Sequence, residues 1–429
     1  MSTYRLDKLF APSSVALVGA SDREGSVGLA VLRNLRAAGF PGRIDLVNPR
    51  ASVISGQRAA ASLDGLAGAP DLVIVASPAA TVPAVIEAAG AKGAAAALVM
   101  TAGLGHGSGS AAETVRLAAR RHGLRLVGPN CLGVMAPHAR LNASFAAHAP
   151  APGDLALVSQ SGAVAAALVE WSTRRRVGLS AAVSLGDGAD VDFADCLDHF
   201  AADRTTRAIL LYVESIGGAQ KFMSAARAAA RVKPVVVIKS GRHEQGARAA
   251  ATHTGALAGT DAVYDAAFRR AGLLRVLDLD ELFAAAETLG RQKPFAGQRL
   301  AVVTNGGGLG VLAVDRLADW GGTLAGLSKA TVAELDRVLP PTWSRGNPVD
   351  IIGDAGPERY AVALAALLAD PANDAVLALN VPTALASAAA AAVAVVATVS
   401  ASRARGGRHK PVFAVWLAED ERAARAFEA

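Results

Sequence analysis

The sequence is poor in aromatic residues and in cysteine, and both shortages exclude classes of protein. Aromatic residues make up 4% of the 429 residues, too few for a nucleic-acid platform on which exposed rings stack bases. Two cysteines form neither a disulfide framework nor a four-cysteine zinc site, so we expect a reducing, cytoplasmic compartment. No spacing of His, Cys, Asp and Glu along the sequence indicates a metal site.

Long apolar runs and long basic runs are also missing. The first ten residues lack the apolar segment of a signal peptide. The most apolar stretch, residues 384–399, is shorter than the ~20 residues of a membrane span, and we predict that it is a buried helix. The longest basic run is Arg174–Arg176, so the sequence indicates neither a membrane protein nor a nucleic-acid-binding protein. The diffuse net charge of +6 suits an anionic small ligand such as a nucleotide or CoA.

What the chain does have is a regular alternation of short β-branched runs with alanine-rich helical stretches. This alternation is typical of parallel sheets that are covered by helices. Proline and glycine interrupt it at residues 146–153 and 292–298. We therefore predict an α/β protein with a doubly wound domain at residues 1–146 and two further parallel-sheet domains at residues 153–292 and 298–429.

Each predicted domain begins with a strand that runs into a turn of small residues. The first turn starts at Gly19 and lacks the G-x-G-x-x-G spacing of a dinucleotide-binding turn, which argues against an NAD-dependent dehydrogenase. The second turn, at residues 158–163, leaves two roles open for Ser161, which either caps the following helix or helps to bind an anion. The third turn contains the three successive glycines Gly306–Gly308, which predict a phosphate cradle of bare backbone.

A histidine in a glycine-punctuated segment is the main candidate for chemistry. His253 lies between two threonines in a small polar loop that follows the predicted strand at residues 235–239. A neutral imidazole becomes a covalent carrier when one ring nitrogen attacks and a carboxylate holds the other. Glu214 directly follows the apolar strand predicted at residues 208–213. Because parallel sheets bind ligands at the carboxyl ends of their strands, we predict that Glu214 is the partner of His253.

Taken together, the motifs resemble those of the NDP-forming acyl-CoA synthetases, the ADP-forming acetyl-CoA synthetase family related to succinyl-CoA synthetase. The resemblance covers nearly the whole chain. In chain order, the motifs are G-A-S at 19–21, V-N-P-R at 47–50, A-S-P-A at 76–79, T-A-G at 101–103, G-P-N-C-L-G at 128–133, S-Q-S-G at 159–162, E-S-I at 214–216, H-T-G at 253–255, the glycines at 306–308 and G-N-P-V-D at 346–350.

The resemblance implies a fold, a reaction and a set of site residues. The fold is a Rossmann-like CoA-binding domain followed by two flavodoxin-like domains of the succinyl-CoA synthetase type. The reaction is that of an acid–CoA ligase, which interconverts acyl-CoA, ADP and phosphate with carboxylic acid, CoA and ATP through an acyl phosphate and a phosphohistidine at His253, oriented by Glu214. The residues implied for CoA binding are Gly19, Ser21, Arg50, Ser77, Pro78 and Asn130, and those implied for phosphate binding are Ser159, Ser161, Gly162, Gly306, Gly307 and Gly308.

The resemblance also implies a component outside this sequence. The family uses an ATP-grasp domain for ATP or ADP and Mg²⁺, and we identify no segment here that supplies one. We expect that domain on a β-type partner subunit or on a continuation of the polypeptide, and we expect a homo- or hetero-oligomer.

One alternative stays open, in which the chain is a regulatory module that binds CoA or acyl-CoA in a fusion of the protein acetyltransferase type. The intact His253-Thr254-Gly255 motif favours the enzyme over this module. The identity of the acyl group cannot be derived from the sequence. Small residues near the second turn, such as Ala163 and Ala165, suggest room for a larger acid.

Overall fold

The computed structural model describes residues 3–246, 248, 260–292, 295–406, 409–417 and 420–428. The chain divides into two units, Met1–Lys293 and Pro294–Ala429. Among the described residues, the first unit contains two seven-stranded sheets and the second unit contains one five-stranded sheet. Most strand pairs in these sheets are parallel, which confirms the α/β class predicted from the alternation of the sequence.

The first sheet has the strand order β3-β4-β2-β1-β5-β6-β7. Its strands are β1 (Ser14–Val18), β2 (Arg43–Val47), β3 (Val53–Ile54), β4 (Gln57–Ala60), β5 (Leu72–Val75), β6 (Ala96–Val99) and β7 (Arg125–Val127). The helices of this region are α1 (Leu6–Phe10), α2 (Val27–Ala37), α3 (Val82–Ala91) and α4 (Ala111–Arg121). Every residue of β1, β5, β6 and β7 is buried, as expected for strands that helices cover on both faces.

The second sheet has the strand order β14-β13-β12-β10-β11-β8-β9. Its strands are β8 (Gly133–Ala136), β9 (Leu141–Ser144), β10 (Pro152–Ser159), β11 (Leu179–Ser184), β12 (Ala208–Val213), β13 (Val235–Lys239) and β14 (Leu274–Val276). The helices that accompany it are α5 (Gly162–Arg174), α6 (Phe193–Ala202), α7 (Ala219–Ala230), α8 (Asp261–Ala271) and α9 (Leu279–Arg291). Strands β10 to β14 are parallel, whereas β8 pairs antiparallel with both β9 and β11.

The β8–β9 hairpin bears on the domain division expected from the sequence, which assigned residues up to 146 to the first domain. In the structure, Val134 and Met135 of β8 pair with Val183 and Ala182 of β11, in the second sheet. The hairpin therefore extends the second sheet, although it precedes the Pro- and Gly-rich stretch at residues 146–153. The first two sheets also share one hydrophobic core, which runs from Leu6 to Leu273.

The sheet of the second unit has the strand order β16-β15-β18-β19, and β17 pairs with β15. Its strands are β15 (Arg299–Thr304), β16 (Thr323–Leu324), β17 (Val349–Asp350), β18 (Ala375–Asn380) and β19 (Val412–Trp416). Its helices are α10 (Gly307–Asp319), α11 (Lys329–Val338), α12 (Pro357–Ala369), α13 (Ala388–Ala404) and α14 (Glu421–Glu428).

Helix α13 contains most of the apolar stretch that we predicted to be a buried helix. The stretch is helical, but only one side of it is buried, since Ala391, Ala392 and Val395 are buried while Val393 is 57% exposed. Alanine explains the difference, because it favours a helix whether or not the side chain is covered. Within the described residues, no helix combines the length and the apolar character needed to cross a membrane.

A buried ion network joins the last strand of the first sheet to helix α6. The guanidinium of Arg125 donates to Asp190 at 2.9 Å and lies 3.3 Å from a carboxylate oxygen of Asp195. The Asp195 side chain is 1% exposed, and burial raises its pKa. Lys221 Nζ also donates to Asp195, at 2.7 Å, so this buried carboxylate has two cationic partners and the loss of either one leaves it less well compensated.

We predict that Arg125→Met lowers the free energy of unfolding by about 1.5–3 kcal/mol, because Asp195 keeps Lys221 but loses the hydrogen-bonded guanidinium. Urea unfolding measured by circular dichroism checks the prediction. Arg33→Met is the matched control, since Arg33 pairs with Glu24 on the surface and its loss should cost no more than about 1 kcal/mol. Equal effects of the two substitutions would contradict the prediction.

Candidate active site

The carboxyl ends of the first sheet bring the predicted CoA-binding turns to one edge. Gly19 follows β1, Arg50 lies just beyond β2, and Ser77 follows β5. Side chains tie neighbouring turns together, since Asn48 Nδ2 donates to the carbonyl oxygen of Ala20 at 2.7 Å. This edge is where an open parallel sheet binds its ligand.

Gly19 is the position at which two of these turns approach each other most closely. It has a φ of +88°, and a Cβ atom there would lie 2.6 Å from the carbonyl oxygen of Ala76. A Cβ on Gly28, near the start of α2, would lie 2.1 Å from the carbonyl oxygen of Gly19. The first turn is therefore built on backbone-to-backbone packing that only glycine permits.

The remaining residues predicted to bind CoA are placed as follows. The Ser21 hydroxyl accepts a hydrogen bond from the amide of Arg23 at 3.0 Å, and Pro78 is exposed beside Ser77. Asn130 has a φ of +59°, and its Nδ2 donates to Asp187 at 3.2 Å. Asn130 follows β7 and so belongs to the same sheet edge.

In the second turn, the two serines have different environments. Ser161 is the N-cap of α5, since its hydroxyl accepts from the amide of Val164 at 3.3 Å. Ser159 is fully buried, and its hydroxyl donates to the carbonyl oxygen of Ser161 at 2.7 Å. Ser159 therefore stabilises the turn from its buried side. Ser161 and Gly162 lie at the N-terminus of the helix, where the binding of an anion is favoured.

Gln160 holds this turn against the turn that carries Glu214. Its side-chain oxygen accepts hydrogen bonds from the amides of Glu214 and Ser215, at 2.7 and 2.9 Å. No role for Gln160 was predicted from the sequence. Its position could have indicated this role, because a long amide side chain at a strand end can accept hydrogen bonds from free backbone amides of a neighbouring turn.

A cleft of about 600 Å³ opens at this point of the first unit. The polar side chains in its lining are His106, Asn130, Gln160, Ser161, Asp187, Glu214 and Ser215. The apolar side chains in its lining include Met100, Leu132, Phe145, Ala146, Ala163 and Ala166. Of the predicted site residues, Asn130, Ser161, Gly162 and Glu214 therefore meet in one cleft.

The cleft also contains residues that the sequence did not point to. His106 lines it together with Asp187, although nothing about its sequence context distinguished it from other histidines. Phe145 and Leu132 line it because the β8–β9 hairpin joins the second sheet. The glycines around His106, at positions 103, 105, 107 and 109, were the one signal of an unusual loop there.

Burial shifts the pKa values of three titratable side chains in or near the cleft. Burial raises the pKa of the Cys131 thiol, which lines the same cleft and therefore stays protonated. Burial also lowers the pKa of Lys239, which ends β13, and the nearby carboxylate of Asp261 opposes that effect. Burial raises the pKa of Tyr212, and the negative charge of Glu214 adds to this rise.

His253 lies outside the described residues, and its predicted pairing with Glu214 stays a prediction. Glu214 itself has interactions within the chain. In the sequence, His253 follows β13, whose last residue, Lys239, pairs with Val213 of β12. Since Glu214 directly follows Val213, the chain leaves the strand next to the one that carries this carboxylate before it reaches His253.

The third glycine turn belongs to the second unit. A Cβ atom on Gly306 would lie 2.5 Å from Val381 Cγ2, and one on Gly307 would lie 2.6 Å from Asp350 Oδ2. Gly308 has no neighbouring atom within 4 Å of that position. Packing within the unit thus accounts for two of the three glycines, and the Asp350 carboxylate lies beside the positive end of helix α10.

Comparison with known proteins finds relatives along the whole chain. Three family models match: a CoA binding domain at residues 13–137, a succinyl-CoA ligase like flavodoxin domain at residues 152–289 and a ligase-CoA domain at residues 300–428. The solved structure of dinucleotide-forming acetyl-coenzyme A synthetase 1 from Ca. Korarchaeum cryptofilum, in complex with phosphate and ADP, superposes with a TM-score of 0.92. It is 34% identical and covers 99% of this chain and 91% of that one.

Two curated relatives are similarly close. The α subunit of ADP-forming acetate–CoA ligase I from Pyrococcus furiosus is 39% identical over 89% of this chain and 84% of its own length. ADP-forming acetate–CoA ligase from Methanocaldococcus jannaschii is 38% identical over 83% of this chain and 50% of its own length. The chain therefore spans about half the length of the longer relatives that it matches.

We predict that Gln160→Leu accelerates hydrogen exchange at the amides of Glu214 and Ser215 by roughly 5- to 150-fold. This corresponds to the 1–3 kcal/mol that a buried donor loses with its acceptor. Hydrogen exchange followed by mass spectrometry measures the effect. Gln160→Glu keeps an acceptor oxygen and serves as the control, so equal acceleration in both variants would contradict the assignment.

Proposed function

Because this chain belongs to the family of ADP-forming acyl-CoA ligases, we propose that it forms the acyl-CoA-handling part of such an enzyme. The enzyme interconverts acyl-CoA, ADP and phosphate with a carboxylic acid, CoA and ATP. The observation that carries the proposal is the cleft in which Ser161, Gly162 and Glu214 line one space with Asn130. The reaction requires a helix start that binds an anion, a carboxylate and a residue that contacts CoA. Ser161 with Gly162, Glu214 and Asn130 are the candidates for these three roles.

In the proposed CoA site, the backbone at Gly19 and the side chains of Ser21, Arg50, Ser77 and Asn130 contact the coenzyme, with Pro78 beside them. The position of these residues at one sheet edge supports this assignment. The exposed guanidinium of Arg50 suits the phosphates of the nucleotide end. The thiol end then lies towards Asn130, at the cleft.

The first chemical step takes place in the cleft. A phosphate oxygen attacks the carbonyl carbon of the thioester, the new C–O bond forms, the C–S bond breaks, and CoA leaves as the protonated thiol. The backbone amides at the start of α5, beside Ser161 and Gly162, hold the phosphate and stabilise its charge, while Ser159 supports the turn from inside. Such preorganised donors are the main contribution that a protein makes to phosphoryl and acyl transfer.

His253 accepts the phosphoryl group in the second step. A ring nitrogen attacks phosphorus, the P–N bond forms, the bond from phosphorus to the acyl oxygen breaks, and the carboxylic acid leaves. Glu214 orients the imidazole and stabilises its positive charge. The phosphohistidine then transfers its phosphoryl group to ADP. The turn formed by Gly306, Gly307 and Gly308 binds phosphate during this transfer.

We assign the nucleotide to an ATP-grasp domain outside this sequence, where Mg²⁺ would neutralise the phosphates. The length of the relatives supports this assignment, since the chain spans about half of the longer ones, and one relative of matching length is named as an α subunit. A β-type subunit in a hetero-oligomer is one source of that domain, and a continuation of the chain in a homo-oligomer is the other. The two described cysteines are free, which suits the reducing cytoplasm that holds CoA and ATP.

We predict that the protein gains acid-labile phosphate when it is incubated with acyl-CoA and radiolabelled phosphate, and that His253→Ala reduces this label to background. Glu214→Gln is expected to slow labelling by about 100-fold, within the range that acid–base and orienting groups contribute. Rapid-quench labelling followed by gel autoradiography measures both effects.

The control for this experiment is His243→Ala. This substitution removes an exposed histidine ten residues before His253 in the sequence and should leave labelling unchanged. Label that persists in His253→Ala would refute the role of that residue. CoA binding without any phosphoenzyme would instead support the alternative, a CoA-binding regulatory module.

We predict that Gly19→Ala weakens CoA binding by about tenfold or more, because a Cβ at this φ is strained and meets the carbonyl of Ala76. Gly25→Ala is the matched control, since Gly25 has a similar φ of +73° but open space around it. Titration calorimetry with CoA compares the two variants. Similar losses in both would mean that the close approach at Gly19 does not shape the site.

A further inference from the structure

Several apolar residues that line the cleft have no role in the proposed chemistry. We call four of them, Leu132, Phe145, Ala163 and Ala166, the apolar wall. Phe145 is 39% exposed, a high value for a large aromatic side chain in a cleft. Ala163 and Ala166 are one helical turn apart, so both face the same side of α5.

This assignment corrects one expectation from the sequence. Ala165, which we named with Ala163 as a residue that leaves room for a larger acid, is 1% exposed and packs into the core with Leu168 and Val169. A helix turns by about 100° per residue, so neighbouring positions face different directions. Ala166 takes the place of Ala165 in the cleft wall.

Hydrogen bonds hold this apolar wall next to the anion-binding end of α5. The amide of Leu132 donates to the Ser184 hydroxyl at 3.0 Å, and the amide of Phe145 donates to the carbonyl oxygen of Leu132 at 3.2 Å. A Cβ atom on Gly162 would lie 3.3 Å from Leu132 Cβ. Leu132 therefore lies directly beside the helix start, with Phe145 next in line.

The far end of the wall is equally well braced. Asn34 Nδ2, from helix α2 of the first sheet, donates to the carbonyl oxygens of Ser144 and Ala146, at 2.8 and 2.9 Å. The two acceptors are the residues directly before and directly after Phe145 in the sequence. Hydrogen bonds within the chain therefore hold the backbone next to Phe145 in place.

We propose that the acyl group of the substrate is apolar and larger than acetyl, a branched aliphatic or aryl group that packs between Phe145 and the Ala163–Ala166 face. This inference rests on the proposed function, in which the carboxyl carbon lies at the Ser161–Gly162 turn. The polar side of the cleft, with His106, Asn130 and Asp187, is left for the amide-bearing thiol arm of CoA. An acetyl methyl would leave most of the apolar wall in contact with water.

The gain in substrate affinity from covering the apolar wall can be estimated. Each additional methylene that leaves water strengthens binding by about fourfold, and a hydrophobic pocket discriminates acids that differ by one methylene by roughly 10- to 200-fold at most. Small residues at 163 and 166 are essential to this gain, because a branched side chain at either position would occupy the space of the acyl group.

Thioester binding to the full chain tests the inference without any partner subunit. Titration calorimetry with CoA, acetyl-CoA, isovaleryl-CoA and benzoyl-CoA is expected to give dissociation constants for the last two that are at least about tenfold lower than for acetyl-CoA. Ala166→Leu should weaken benzoyl-CoA binding about tenfold and acetyl-CoA binding less. Ala167→Leu, an exposed position on the same helix outside the cleft wall, should preserve the preference.

Phe145→Ala provides a second variant that does not add volume to the helix, and it should also reduce the preference for benzoyl-CoA by about tenfold. Equal affinities for acetyl-CoA and the larger thioesters, or an unchanged preference in both cleft-wall variants, would overturn the inference while leaving CoA recognition intact. Failure of every thioester and of CoA itself to bind would overturn the proposed function and the inference with it.

Discussion

The parallel pairing of β10 with β12 is the constraint on which the candidate site depends. This register sets Ser159 opposite Tyr212, so that the two strands end together and their turns lie side by side. Gln160 then joins the turns, since its single carbonyl oxygen accepts from two backbone amides. A helix start and a carboxylate that are 53 residues apart in sequence (161 and 214) thereby come to line one cleft.

The other half of the cleft comes from the way the first two sheets are joined. The β8–β9 hairpin follows the last strand of the first sheet, yet it hydrogen bonds with β11 of the second. Leu132 and Phe145 flank this hairpin, and Asn130 immediately precedes it. Because both sheets contribute to one hydrophobic core, packing between them positions the carboxyl ends of the first sheet relative to the helix start of the second.

The cleft combines an anion-binding end with an apolar wall, and this combination relates the two proposals to each other. An acyl phosphate is itself divided into a charged group and a hydrocarbon group. Amides beside Ser161 and Gly162 suit the charged group, whereas Phe145, Leu132 and the alanines of α5 suit the hydrocarbon group. In the second unit, the carboxylate of Asp350 lies beside Gly307 at the start of α10.

Local patterns of the sequence were sufficient to predict the class of fold and the position of individual strands. The strands Ala208–Val213 and Val235–Lys239 have the predicted bounds, because a buried parallel strand is a short apolar run that is visible in a short window of the sequence. The motif order was also sufficient for the family, which the relatives of matching length confirm. The roles of His253 and the other site residues remain predictions.

The tertiary structure alone decided which residues share the cleft. Pairing of β8 with β11 depends on contacts between segments about 50 residues apart, and no local periodicity encodes them. Gln160 gained its role from amides in the turn after β12, and Ala166 rather than Ala165 lines the cleft because of the rotation of α5 against its sheet. Composition and spacing determine what each segment forms, whereas the packing of segments distant in sequence determines which side chains meet.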